Sequence, residues 1–216
     1  MILNDNPGPL CTIHGIPFLR FALPIVDNFR QDLMDKAHFL LDKDRHNNKS
    51  NIGGFHSDEI GELDWETFEA GKWFASSVNE KLIQATRLLH NTRYPDIELE
   101  LTNSWYMINS ANKAHWNIPH THPGSYLSGA FYLSAISPIQ PEDGNTGRLI
   151  AIVENSSLDS FQRNSEDVKI VEYCPVEGEL ILFPSSTMHM VSPHTADYDR
   201  IMISFNTRIK TDDTIS

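Results

Sequence analysis

The sequence predicts an α+β fold, with helices first and a sandwich or jelly-roll core of short strands after them. Three observations predict it. Between residues 24 and 90 the apolar positions step by threes and fours. From residue 97 onward they alternate by twos, in short runs separated by turn residues. No internal repeat and no linker-like composition divides the chain. A length of 216 residues suffices for one well-buried core and does not demand two. The expectation is a single domain over 1–216, with helical support over about 1–96 and the strand core over about 97–208.

Taken in order, residues 1–15 carry Pro7, Gly8 and Pro9 and read as surface chain. Residues 16–23, IPFLRFAL, read as a strand stopped by Pro24. Val26, Phe29, Leu33, Ala37 and Leu40 then mark an amphipathic helix over 24–41. A polar loop at 42–50 leads to SNIGGFHS, where Gly53–Gly54 indicates a turn or a close backbone approach. Asp64 is a candidate cap for a helix over 65–90, whose buried stripe is Phe74, Val78, Leu82, Ala85 and Leu89. Strands are expected at 97–109, 126–134, 148–153, 168–173, 179–183 and 200–208, with loops at 110–119, 137–147 and 155–165.

Composition narrows the function classes. A net charge of −12 with no Lys/Arg cluster argues against nucleic acid or an anionic membrane surface as the main partner. It mildly favours a cationic substrate, although an acidic balance commonly just keeps a protein in solution. The apolar runs fall far short of the ~20 residues of a membrane span. Two distant cysteines, Cys11 and Cys174, form no disulfide framework, and no secretory signal is read at the N-terminus. A cytoplasmic, reducing setting is therefore expected.

The chemistry concentrates in two stretches. In residues 117–133, NIPHTHPGSYLSGAFYL, His120 and His122 lie two apart, so on an extended chain both rings share one face. Residues 177–206 contain EGELILFPSSTMH, which ends on His189, and then Arg200 at the head of RIMISFN. His38 and His90 fall in helices and His14, His46 and His194 in loops, where structural or solvated roles are expected; His56 reads as a loop histidine. This pattern points to one metal ion held by histidines, with an arginine behind it for an acidic co-substrate. Arg200 also has a plainer option, an ion pair with Asp197 or Asp199.

The segments SNIGGFHS, NSWYMIN, HTHPGSYLSGAFYL, EGELILFPSSTMH and DRIMISFN, in that order, resemble a prolyl-hydroxylase-like group of Fe(II)- and 2-oxoglutarate-dependent oxygenases found in phages and marine bacteria. The likeness covers about residues 50–208. It implies a double-stranded β-helix (jelly-roll) core with the N-terminal helices on one face. It also implies Fe(II) and 2-oxoglutarate as cofactors, O2 as co-substrate, and a small molecule or protein side chain as substrate. If phage-encoded, the protein would work in the host cytoplasm. Carried over by position, His120, His122 and His189 are the metal ligands, and Arg200 meets the distal carboxylate of 2-oxoglutarate. Tyr132 touches the same carboxylate, Ser204 adds a hydrogen bond and Ser128 lines the pocket. His122 stands where the wider superfamily has a carboxylate; Asp143 or Glu142 is the alternative third ligand. Two other readings remain open: a cupin-type three-histidine metalloenzyme that does not use 2-oxoglutarate, and a non-enzymatic jelly-roll binding module.

Overall fold

Two amphipathic helices have apolar stripes to bury, and the computed structural model places them on a sheet. It describes residues 1, 3, 8–43, 47, 49–90, 97–135, 146–154 and 167–210. In chain order the elements are β1 (Leu10–Ile13), β2 (Ile16–Ala22), α1 (Asp27–Asp42), β3 (Asn51–Ile52), β4 (Phe55–His56), α2 (Glu62–Trp65) and α3 (Glu69–His90). They continue with β5 (Leu99–Asn109), β6 (His115–His120), β7 (Leu127–Ser134), β8 (Leu149–Glu154), β9 (Val168–Tyr173), β10 (Glu179–Pro184), β11 (Met188–His194) and β12 (Arg200–Ile209). The strands form a seven-stranded sheet in the order β1-β2-β10-β7-β12-β5-β4 and a five-stranded sheet in the order β3-β6-β11-β8-β9. All the pairings are antiparallel.

The large sheet is buried on both faces, so its strands carry apolar residues at successive positions rather than at every second one. Tyr106, Ile108, Phe131, Leu182, Ile203 and Phe205 face the helices and meet Leu33 and Ala37 of α1 and Phe74, Val78 and Leu82 of α3. The alternate positions Trp105, Met107, Ala130, Tyr132, Ile181 and Met202 point the other way and pack with Leu149, Ala151 and Val171 of the small sheet. Two layers of core result: helix on sheet and sheet on sheet. This is the expected jelly-roll with helices on one face.

Four local expectations need correction. The N-terminal segment does not simply cross the surface: β1 pairs with β2 from Leu10↔Leu19 to Ile13↔Ile16, and Leu3 is fully buried. The helix expected over 65–90 is interrupted after Trp65; Asp64 lies inside α2, where its Oδ2 accepts the Gly61 N–H at 3.0 Å. The loop expected over 110–119 contains most of β6, which pairs with β11. His194 closes β11 rather than lying in a loop, and its Nε2 bonds the Tyr198 carbonyl at 2.6 Å.

Gly53 and Gly54 do make the turn read from the sequence. Their φ angles of 63° and 67° are in the left-handed region, and they carry the chain from β3 in one sheet to β4 in the other. A Cβ on Gly54 would lie 2.9 Å from Asn109 Oδ1 and 3.0 Å from the Ile108 carbonyl oxygen. This crossing delivers His56 to the inside of the molecule, where it is only 3% exposed.

Candidate metal and co-substrate site

The open end of the sandwich brings the three histidines together. β6 pairs antiparallel with β11 so that His120 and His189 are directly opposite. Side chains at such positions are neighbours across the ladder. The chain then leaves β6, and the His122 N–H donates to the Ser185 carbonyl at 2.9 Å, which ties the turn back to the strand leading into His189. Ring centroids are 4.3 Å apart for His120–His189, 5.1 Å for His120–His122 and 5.2 Å for His122–His189. One ring nitrogen from each lies within 4.8 Å of the other two, close enough for one ion to draw all three in.

Two of the rings are oriented by the backbone. His120 Nδ1 bonds the Ile118 carbonyl at 2.7 Å and His189 Nδ1 bonds the Thr187 carbonyl at 2.9 Å. A carbonyl only accepts, so each Nδ1 carries the proton and each Nε2 offers a lone pair. Burial also keeps the rings neutral. Desolvation, with the neighbouring His120 second, pushes His189 down to about 3. Desolvation and then the charges of His120, His56 and Lys49 push His122 down to about 4, and burial lowers His120 too. At neutral pH the cluster is a set of three uncharged nitrogen donors.

Behind the histidines a cavity of about 310 Å³ runs into the sandwich, within the usual range for small-molecule sites. It is lined by Arg200, Met202 and Ser204 of β12 and by Ser128, Ala130 and Tyr132 of β7, each set sharing a face by strand alternation. Arg200 is 2% exposed. Its guanidinium carbon lies 5.1 Å over the Tyr132 ring, and Nη2 approaches Tyr132 Oη at 3.5 Å. Nε and Nη1 have no hydrogen-bond partner among the described residues. The plainer option fails for Asp199, whose Oδ1 accepts the Ala111 N–H at 2.8 Å and whose Oδ2 lies 4.0 Å from His38. Burial raises the Tyr132 phenol, with Arg200 acting in the opposite sense, so it remains a neutral hydroxyl. Ser128 Oγ is already engaged, at 2.9 Å with Ser185 Oγ and 2.8 Å with Asn206 Oδ1.

Residues 103–206 match the family model described as "Putative 2OG-Fe(II) oxygenase", and the segment contains His120, His122, His189, Arg200, Tyr132, Ser128 and Ser204. The fold is that of the 2OG-Fe(II) oxygenases, and the strand core over residues 103–206 is similar in sequence to that family. Solved structures of this class have the same fold. A prolyl-4-hydroxylase from Pseudomonas putida is 17% identical, with a TM-score of 0.58, over 90% of this chain and 93% of that one. A Trichoplax adhaerens prolyl hydroxylase in complex with a hypoxia inducible factor peptide fragment is 17% identical, also at 0.58, over 88% and 82%. The α-ketoglutarate-dependent carbocyclase SnoK from nogalamycin biosynthesis is 10% identical at 0.61, over 90% and 80%. No match was found among curated proteins.

The cofactors of a 2OG-Fe(II) oxygenase are Fe(II) and 2-oxoglutarate, and the residues fit both. Neutral imidazole is a suitable donor for iron. A buried guanidinium with two unpaired nitrogens calls for an anion, and a carboxylate matches its planar fork. Asp143 and Glu142, the alternative third ligands, lie outside the described residues. Trp105 and Asn117 are among the cavity-lining residues to which the sequence gives no functional reading. His56, a loop histidine by sequence, also lines it. Alternation does put Trp105 on the inward face of β5, but sequence has no signal for what it lies against.

Proposed function

We propose that this protein hydroxylates a C–H bond of a small molecule or protein side chain at the expense of 2-oxoglutarate. The balance is one substrate C–H, one O2 and one 2-oxoglutarate giving C–OH, succinate and CO2. His120, His122 and His189 are the residues to hold Fe(II), which when bound supplies the oxidising chemistry. Arg200 with Tyr132 takes the distal carboxylate of 2-oxoglutarate, and Ser204 offers a further hydroxyl. The whole chain acts as one domain, since the outer face of the sheet bearing Arg200 is covered by α1 and α3.

The observation that carries this reading is Arg200, a buried cation that lines the cavity behind three convergent histidines and whose Nε and Nη1 find no partner among the described residues. A cupin-type metalloenzyme would need the histidines but would leave that charge unused. Three neutral donors also leave a divalent ion with its full two units of charge, where a carboxylate ligand would cancel one. The site therefore favours a dianionic co-substrate.

The test is succinate formation from 2-oxoglutarate with Fe(II) and O2, with candidate substrates screened for a product one oxygen atom heavier. Succinate that needs all three components and an intact Arg200 supports the proposal. Oxygen consumption or product formation indifferent to 2-oxoglutarate would contradict it.

A further inference from the structure

His122 is held differently from its two companions. The His120 and His189 rings are each fixed through Nδ1 by a backbone carbonyl. No such bond to the His122 ring is made by the described residues. A histidine without one is free to rotate about χ2, which spoils a preorganised donor set. What the ring does have is stacking: within the cluster it lies on His189 at 5.2 Å and 21°, and outside the cluster it stacks with Trp105 at a centroid distance of 5.7 Å and an interplanar angle of 29°. Trp105 in turn stacks with His56 at 5.3 Å and 6°. Those separations fall in the range of offset-stacked aromatic pairs.

The far end of this stack is anchored. His56 Nδ1 bonds the Ser57 carbonyl at 2.8 Å, and the ring is set in place by the Gly53–Gly54 crossing and by pairing with Met107 of β5. Trp105 belongs to β5 itself and pairs with Ser204 of β12. The stack therefore runs from a fixed point in the large sheet to the imidazole of the cluster whose ring no described backbone group bonds.

We propose that Trp105, backed by His56, is the positioning residue for His122, with ring stacking in place of the hydrogen bond that orients the other two. A planar ring at position 122 can use this support and an aspartate cannot, so the histidine and the stack form one device. The inference rests on His122 being a metal ligand.

The test is a double-mutant cycle read by Co(II) affinity and by the visible absorption of bound Co(II), with no turnover required. Trp105→Leu should weaken Co(II) roughly 3- to 10-fold, the worth of an aromatic pair, and alter the absorption. Trp105→Phe should recover part of the loss. In a His122→Ala background, Trp105→Leu should cost nothing further. His56→Ala should produce a smaller loss with the same dependence on His122, and it carries the test if Trp105→Leu fails to fold. An equal loss in both backgrounds, or none in either, overturns the positioning role and leaves the metal site standing. If His122→Ala binds Co(II) as tightly as wild type, the ligand assignment falls, and this inference with it.

Discussion

Replacing Arg200 with methionine removes a charge and leaves a side chain of comparable length on β12. If the guanidinium is the partner of 2-oxoglutarate, the variant loses one member of a buried ion pair, a change worth about 3–5 kcal/mol. At about 1.4 kcal/mol per factor of ten, 2-oxoglutarate should bind roughly 150-fold to several thousand-fold more weakly. Fe(II) affinity should hardly change, because no histidine of the cluster bonds Arg200. The free protein should also keep its stability. Among the described residues Arg200 Nε and Nη1 have no partner, so an apolar replacement relieves a desolvated charge and loses only the contacts with Tyr132, the cation–π stack and the long Nη2–Oη hydrogen bond. The assay is anaerobic calorimetric titration of both ligands into both proteins, alongside thermal unfolding of the ligand-free forms. Parallel loss of iron and 2-oxoglutarate binding, or a large drop in melting temperature with 2-oxoglutarate affinity unchanged, would refute the reasoning and make Arg200 a structural residue.

Further outcomes follow from the same geometry. His122→Asp should still bind Fe(II), since carboxylate oxygen is a suitable donor, but should change the succinate formed per iron with and without substrate; unchanged stoichiometry and metal affinity would remove His122 from the ligand set. The metal-free protein should lose stability on acidification. His122 and His189 are depressed to about 4 and 3 from 6.5, so their contribution is complete above pH 6.5 and is lost as pH falls through those values. Thermal unfolding from pH 7 to 4 checks this, and a His189→Gln variant with an identical pH profile would contradict it. Gly54→Ala puts a Cβ on a left-handed residue against Asn109 and the Ile108 carbonyl and should cost about 1–3 kcal/mol. The expected fall in melting temperature is roughly 2–12 °C, and an unchanged melting curve would mean that the crossing relaxes freely.

Much of this arrangement was legible in the sequence because periodicity reports burial. The stripes of α1 and α3 predicted the faces that meet the sheet, whereas the expected alternation of Leu99, Leu101, Trp105 and Met107 in β5 is split by a register shift, the first two joining the helix-side core and the last two the inner one. The spacing of His120 and His122, with Arg200 following His189, announced the site for a related reason, since strand alternation fixes direction. What escaped was whatever depends on partners distant in sequence. β6, HWNIPH, holds three polar residues and a proline and reads as loop until β11 pairs with it. β3 and β4 are two residues each, too short for any period. β1 lies beside Gly8 and Pro9 and is defined only by β2. The break between α2 and α3 leaves the apolar spacing intact, so nothing marks it except Gly71, where a Cβ would meet the Trp65 carbonyl oxygen at 2.4 Å. His56 looked like a loop histidine because its burial is created by the crossing that Gly53 and Gly54 allow.

Whether three histidines and a buried arginine bind Fe(II) and 2-oxoglutarate as one unit is read most directly from visible absorption during anaerobic titration. A charge-transfer band should appear only when both Fe(II) and 2-oxoglutarate are present, and should be absent from Arg200→Met at concentrations saturating the wild type. Metal binding with a spectrum indifferent to 2-oxoglutarate would contradict joint binding.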